Sequence, residues 1–133
     1  MERERRDYLR IPVKVVANCM RCKSGERIPE HFISFTKDIS VQGARIILSK
    51  NVEAGSTVTL GLEVPTSFIP VLVHSQVMWA QSVMIWGEGC HSFSEAGVRF
   101  VELNEFDEER LTAFLKNRCK EATVKIQGTE LHT

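Results

Sequence analysis

The sequence predicts a mainly β protein: a small antiparallel barrel of six or seven strands followed by one C-terminal α-helix. Three observations lead there. Short apolar runs alternate with polar residues, so each run buries one side only. Turn residues punctuate the runs, and a helical apolar stripe appears once, after Asn104. Closing such strands into a barrel removes the open edges that would otherwise invite aggregation.

The first strand spans Ile11 to Cys19, with Val13, Val15 and Ala17 on one face and Pro12 tolerable at its start. Met20 to Glu30 is a turn-rich connection carrying Ser24, Gly25 and Pro29. His31 to Lys37, rich in aromatic and β-branched residues, is the second strand and ends at Asp38. Gly43 opens the third, with Ala44, Ile46 and Leu48 facing one way. The fourth alternates most cleanly, Val58, Leu60, Leu62 and Val64 against Thr57, Thr59, Gly61 and Glu63, until Pro65 stops it. A fifth runs from Val71 to Ala80 with Val71, Val73, Val77 and Trp79 in phase, and Val83 to Trp86 continues or pairs with it. Gly87 to Ser94 is expected as a loop and Gly97 to Val101 as the last strand.

The helix has Asn104 as N-cap, acidic residues in its first turn and Lys116, Arg118 and Lys120 near its end, the polarity that the helix dipole favours. Leu111, Phe114 and Leu115 form its apolar stripe. The expected organisation is an Arg-rich arm over residues 1–10, a barrel plus helix over 11–120 and a loose tail over 121–133, in which Thr123 to Ile126 would suit a short edge strand.

A chain of 133 residues makes one domain with one core, and hydrophobic and charged fractions of 43% and 26% exclude bulk disorder. Lys plus Arg and Asp plus Glu both number 17, so any anion site must be local rather than the product of a global field. No apolar run approaches the roughly 20 residues of a membrane helix, and the N-terminus is charged where a secretory signal turns apolar. A cytoplasmic protein without membrane insertion is expected. Four unevenly spaced cysteines form no disulfide framework, which agrees with a reducing compartment.

Two stretches carry chemistry. Arg5, Arg6 and Arg10 crowd ahead of the first strand, where they repel one another and bury nothing. Their permanent charge and rigid donor forks suit phosphate oxygens or a guanine edge. Asp38, Ser40 and Gly43 place a carboxylate, a hydroxyl and a glycine on one turn. Each stretch has an ordinary alternative: a solvated arm for the first, and for the second a plain turn in which Asp38 or Ser40 caps its own backbone.

Taken together, Arg6-x-x-x-Arg10 followed after one hairpin by Asp38-x-Ser40-x-x-Gly43 resembles the two-part signature of the PilZ family, whose members bind the bacterial second messenger cyclic di-GMP. Gln76-Val77-Met78-Trp79 and Gly97 to Leu103 also look like the family, so that the resemblance runs from about Arg5 to Arg118. It implies a PilZ-type barrel and a cyclic di-GMP receptor whose ligand-binding residues are Arg5, Arg6, Arg10, Asp38, Ser40 and Gly43. Arg5 is a supporting cation, since the fourth position after it is Leu9.

The physical chemistry agrees with the resemblance. Cyclic di-GMP presents two phosphates and two guanines. In extended chain Arg6 and Arg10 stand on the order of 13 Å apart, able to grip one ligand from two sides or two stacked copies. Asp38 can accept from guanine N1–H and the exocyclic amine, donors that adenine lacks; a buried carboxylate without its partner costs about 3–5 kcal/mol. Gly43 allows close backbone approach or a positive φ. Tyr8 is taken as an anchor of the arm.

The expected mechanism is ordering of the arm on ligand binding, with output through a protein partner in motility, secretion or polysaccharide export. The alternative is a ligand-independent PilZ-like interaction module. A nucleic-acid polymer is disfavoured by zero net charge. Cys19-x-x-Cys22 with Cys90-His91 has only half the spacing of a zinc knuckle, and Cys19 suits a buried apolar place, so no metal is expected. Trp79 and Trp86 are read as core or barrel-end residues. No nucleophile, phosphate loop or carboxylate pair points to catalysis.

Overall fold

The structure, a computed structural model, describes residues 10–22, 27–65, 68–86 and 90–132, as backbone alone at 85–86, 90–92 and from 120 onward. Seven strands and one helix follow in order: β1 (Ile11–Pro12), β2 (Val16–Arg21), β3 (Glu30–Ile39), β4 (Gly43–Leu48), β5 (Thr57–Leu62), β6 (Val71–Trp86), β7 (Cys90–Glu102) and α1 (Glu105–His132). The sheet order β3-β2-β5-β6-β7-β4 returns to β3 through the β3–β4 pairing, and every pairing is antiparallel. The result is a closed six-stranded barrel with β1 added beside β3. The predicted class is therefore the observed one.

The interior is filled by the alternating apolar residues. Ala17, Cys19, Ile46, Leu60, Leu62, Val71 and Val73 are fully buried, and Leu111 seals one end of the barrel with Phe114 and Leu115. Burial pushes the Cys19 thiol up to about 12, against a smaller downward pull from Arg21, so Cys19 behaves as a small core residue. Among the described residues, no three His, Cys, Asp or Glu side chains converge as metal ligands do. No helix among them is long and apolar enough to cross a membrane.

The first expected strand is split. Pairing runs Pro12↔Asp38 and then Val16↔Phe35, so β1–β2 carries one residue more than β3 across the gap. Thr36 bridges the break: its Oγ1 donates to Val13 O at 2.6 Å and accepts from Val15 N at 2.9 Å, giving both backbone groups a partner. Two further irregularities matter more. β3 and β4 shift register between Thr36 and Asp38, and β6 and β7 shift between Val77 and Trp79.

Other expectations change at element ends. β3 continues through Asp38 and Ile39, so the turn is Ser40 to Gly43 alone. β7 begins at Cys90, where a loop was expected up to Ser94, because the register Trp86↔Cys90 extends the β6–β7 hairpin outward. The helix does not stop near Lys120 or give way to a strand at Thr123. It runs to His132, roughly 42 Å at 1.5 Å per residue. Glu121, Ala122, Lys125 and Gln127 are good helix formers and no proline intervenes; Gly128, at about 1 kcal/mol, and the β-branched Thr123, Val124 and Thr129, at less each, oppose.

The N-cap is as predicted: Asn104 Oδ1 accepts from Asp107 N at 2.8 Å. Buried Asp107 then pairs with Arg110, whose guanidinium also donates to the carbonyls of Ile69 and Pro70 and ties the helix to the connection before β6.

At the opposite strand ends, Glu30 accepts from Arg21 at 2.7 Å and from Lys50 at 2.8 Å. Lys50 first and then Arg21 hold its carboxyl down at about 2, against an ordinary value of 4.5. The folded state thus favours the ionised form, and its contribution is complete above pH 4.5 and fades as pH falls towards 2. Melting curves across that window should show wild type losing stability more steeply than Glu30→Gln. Parallel curves would remove this cluster as a source of acid sensitivity.

Candidate functional site

The site is assembled from the two bulges. Alternation along β3 would carry Asp38 inward behind Phe32, Ser34 and Thr36. The extra residue at Lys37 shifts the phase, so Ile39 takes the inward place opposite Ala44 and Asp38 stands beside Arg45. Likewise Val77 pairs with Val98 and Trp79 with Gly97, leaving Met78 as the extra residue. Trp79, expected as a core or barrel-end residue, is 40% exposed. Its indole lies over Gly97, where an added Cβ would meet Nε1 at 2.2 Å.

Between these strands lies a hollow of about 230 Å³ lined by Arg10, Ser40, Gln42, Gly43, Met78, Trp79, Gly97 and Arg99, among others. It combines two guanidinium groups, an indole and a run of close backbone. Arg99 donates to Gln76 Oε1 at 3.0 Å, which steadies one of the cations at the rim. A larger hollow of about 600 Å³ lies at the far end of β2. It holds none of the motif residues, and its cation, Arg21, is already engaged with Glu30 and the carbonyl of Asn51.

Of the predicted residues, Arg10, Ser40 and Gly43 line this hollow and Asp38 adjoins it through Arg10; Arg5 and Arg6 lie outside the described residues, as does Tyr8. Arg10 Nη1 sits 3.6 Å from Asp38 Oδ1. Asp38 is buried, and its Oδ1 accepts no hydrogen bond from the described residues, while Oδ2 accepts from Arg45 Nε at 2.6 Å. Arg45 Nη2 also approaches Oδ2 at 2.6 Å. The bond and charge of Asp38 raise the Arg45 guanidinium above its ordinary value. Ser40 serves its own turn: Oγ accepts from Gln42 N at 3.1 Å and Gly43 N at 3.2 Å. Its role is to shape the backbone at the wall of the hollow.

Gly43 is required for space. An added Cβ would lie 2.3 Å from Val98 O across the β4–β7 pairing, and the glycine with positive φ among the described residues is Gly55. Sequence reasoning missed Trp79, Arg45 and Glu95. The last is buried although charged, with both carboxylate oxygens 3.4 Å from Lys37 Nζ and Oε2 3.9 Å from Arg45 Nη1. The one available signal was parity: Arg45 shares the outward face of β4 with Ile47.

The arrangement is a closed six-strand barrel with a hollow beside two bulges and an arginine ahead of its first full strand. The chain belongs to the PilZ family, whose PilZ domain model matches residues 4–117. No curated protein sequence matches it. Among solved structures it is similar to the PilZ domain with c-di-GMP of YcgR from Escherichia coli, at 15% identity and a TM-score of 0.66, covering 93% of this chain and 98% of that one. It is also similar to MrkH of K. pneumonia in its c-di-GMP complex, at 17% identity and a TM-score of 0.66 over 92% of this chain and 56% of MrkH. A third is the Bacillus subtilis inhibitor of motility MotI/DgrA, at 13% identity and a TM-score of 0.58 over 94% of this chain and 53% of that one. The chain thus spans about half the length of the last two. At these identities the likeness is one of fold.

Proposed function

We propose that this protein is a receptor for cyclic di-GMP, with the guanine edge read by Asp38, phosphate held by Arg6 and Arg10 with help from Arg5, and Trp79 flanking a base. One observation carries the reading: a buried carboxylate whose Oδ1 accepts no hydrogen bond from the described residues, 3.6 Å from Arg10 at the rim of the hollow. An unsatisfied buried acceptor costs roughly 1–3 kcal/mol, which guanine N1–H or its amine would recover. Support comes from family membership and from the c-di-GMP complexes of the YcgR domain and MrkH. Ligand contact with residues 5–10 would fix the arm across the barrel wall, and the altered face would be presented to a protein partner in motility, secretion or polysaccharide export.

A second reading, a PilZ interaction module that needs no ligand, is favoured by a specific observation. Asp38 already has Arg45, and Ser40 is spent on its own turn. Calorimetric titration with cyclic di-GMP separates the two. The expected result is saturable heat accompanied by a change in tryptophan fluorescence. No heat from folded protein at high ligand concentration overturns the receptor and leaves the module.

A further inference from the structure

We infer that Arg45 is the positioning residue of this site, holding Asp38 by one oxygen so that the other stays available to a guanine edge. The inference rests on the cyclic di-GMP reading above and assigns a role to a residue outside the two-part motif.

The geometry of the pair is the starting point. An arginine and a carboxylate that serve only each other tend to meet side-on, with two parallel bonds, one to each oxygen. Here both close approaches, from Nε and Nη2 at 2.6 Å, fall on Oδ2. Oδ1 is buried and accepts no hydrogen bond from the described residues, with Arg10 Nη1 as its ion-pair neighbour at 3.6 Å. A purely structural pair would have no reason to leave a buried acceptor unmet, because that omission lowers stability.

The far side of the guanidinium explains how the arrangement persists. Arg45 Nη1 lies 3.9 Å from Oε2 of Glu95, a second buried carboxylate steadied by Lys37 Nζ at 3.4 Å. Arg45 is therefore suspended between two carboxylates on β3 and β7, its own strand β4 lying between them. Turning the guanidinium to meet Oδ1 would draw it from Glu95. The arrangement keeps Asp38 aimed, with no reorganisation needed when ligand arrives.

Two ligands distinguish positioning from general support: cyclic di-GMP and cyclic di-IMP, the inosine analogue that keeps N1–H and lacks the exocyclic amine. Calorimetry would compare wild type, Arg45→Gln, Arg45→Lys and Asp38→Asn, each checked for folding by its melting curve. Arg45→Gln is expected to weaken cyclic di-GMP binding tenfold to a hundredfold, the range usual for losing a partner that orients a binding group. The preference for cyclic di-GMP over cyclic di-IMP should fall towards that of Asp38→Asn, and Arg45→Lys should recover part of both. Unchanged or tighter binding by Arg45→Gln overturns the inference, the latter making Arg45 a competitor of ligand. So does weakened binding with the guanine preference intact. Absence of binding by wild type removes the receptor reading, and this inference with it.

Discussion

Asp38→Ala is expected to weaken cyclic di-GMP binding at least a hundredfold while leaving a folded protein. The two effects separate because the partners of Asp38 differ in their access to water. A guanine edge docked against the alanine would keep two donors desolvated with nothing to accept them, costing several kcal/mol; each 1.4 kcal/mol is a factor of ten in affinity. Arg45, by contrast, has a side chain 40% exposed and can turn to solvent or to Glu95 once Asp38 is gone. Loss of a partly exposed pair of this kind costs stability only about 1 kcal/mol. Calorimetry and a melting curve on the same preparation check both halves. Near wild-type affinity in Asp38→Ala would mean that the carboxylate does not read the ligand.

Gly43→Ala is expected to be the most destabilising single-methyl change at the site. The added Cβ would sit 2.3 Å from Val98 O, a backbone atom on the neighbouring strand that cannot rotate away. The β4–β7 pairing must open there, and overpacking of this severity costs about 3 kcal/mol. For a domain of this size that is a fall of about 10 °C in melting temperature. Gly61→Ala is the control. Gly61 is also buried in a strand, but its added Cβ would meet nothing nearer than 3.7 Å. Equal losses from the two substitutions would show that glycine's backbone freedom, not the close approach of Val98, is what matters at position 43.

Much of the fold was legible in the sequence because strands β4 and β5 keep strict alternation, and alternation reports which face is buried. The capped start of α1 was legible for an equally local reason, since Asn104 and the acidic first turn act within a few residues. At the site, Arg10, Asp38, Ser40 and Gly43 stood out as residue types at a spacing. Their division of labour did not. Ser40 closes the turn, and Gly43 answers to a carbonyl more than fifty positions away, which no local pattern encodes.

Trp79 and the turn of Asp38 towards Arg45 were hidden for one shared reason. Parity along a strand predicts a face only while the register holds, and β3 and β6 each slip beside the residue that matters. Trp79 follows Val71, Val73 and Val77 in phase and still comes out at the wall. Glu95 was invisible because its burial depends on Lys37 and Arg45, both brought to it by strand pairing.

The bulge at Lys37 has a consequence for how this wall can vary over time. What turns Asp38 towards Arg45 is a count of residues between Thr36 and Asp38, not the identity of the one in between. Exchange of Lys37 for another side chain leaves that count alone and touches chiefly the pairing with Glu95. Pairing of β3 at its present length without that slip would trade inside for outside, sending the carboxylate into an apolar interior and an isoleucine to the rim. The recognition surface is therefore tolerant of a changed side chain at position 37 and dependent on the slip in register beside it.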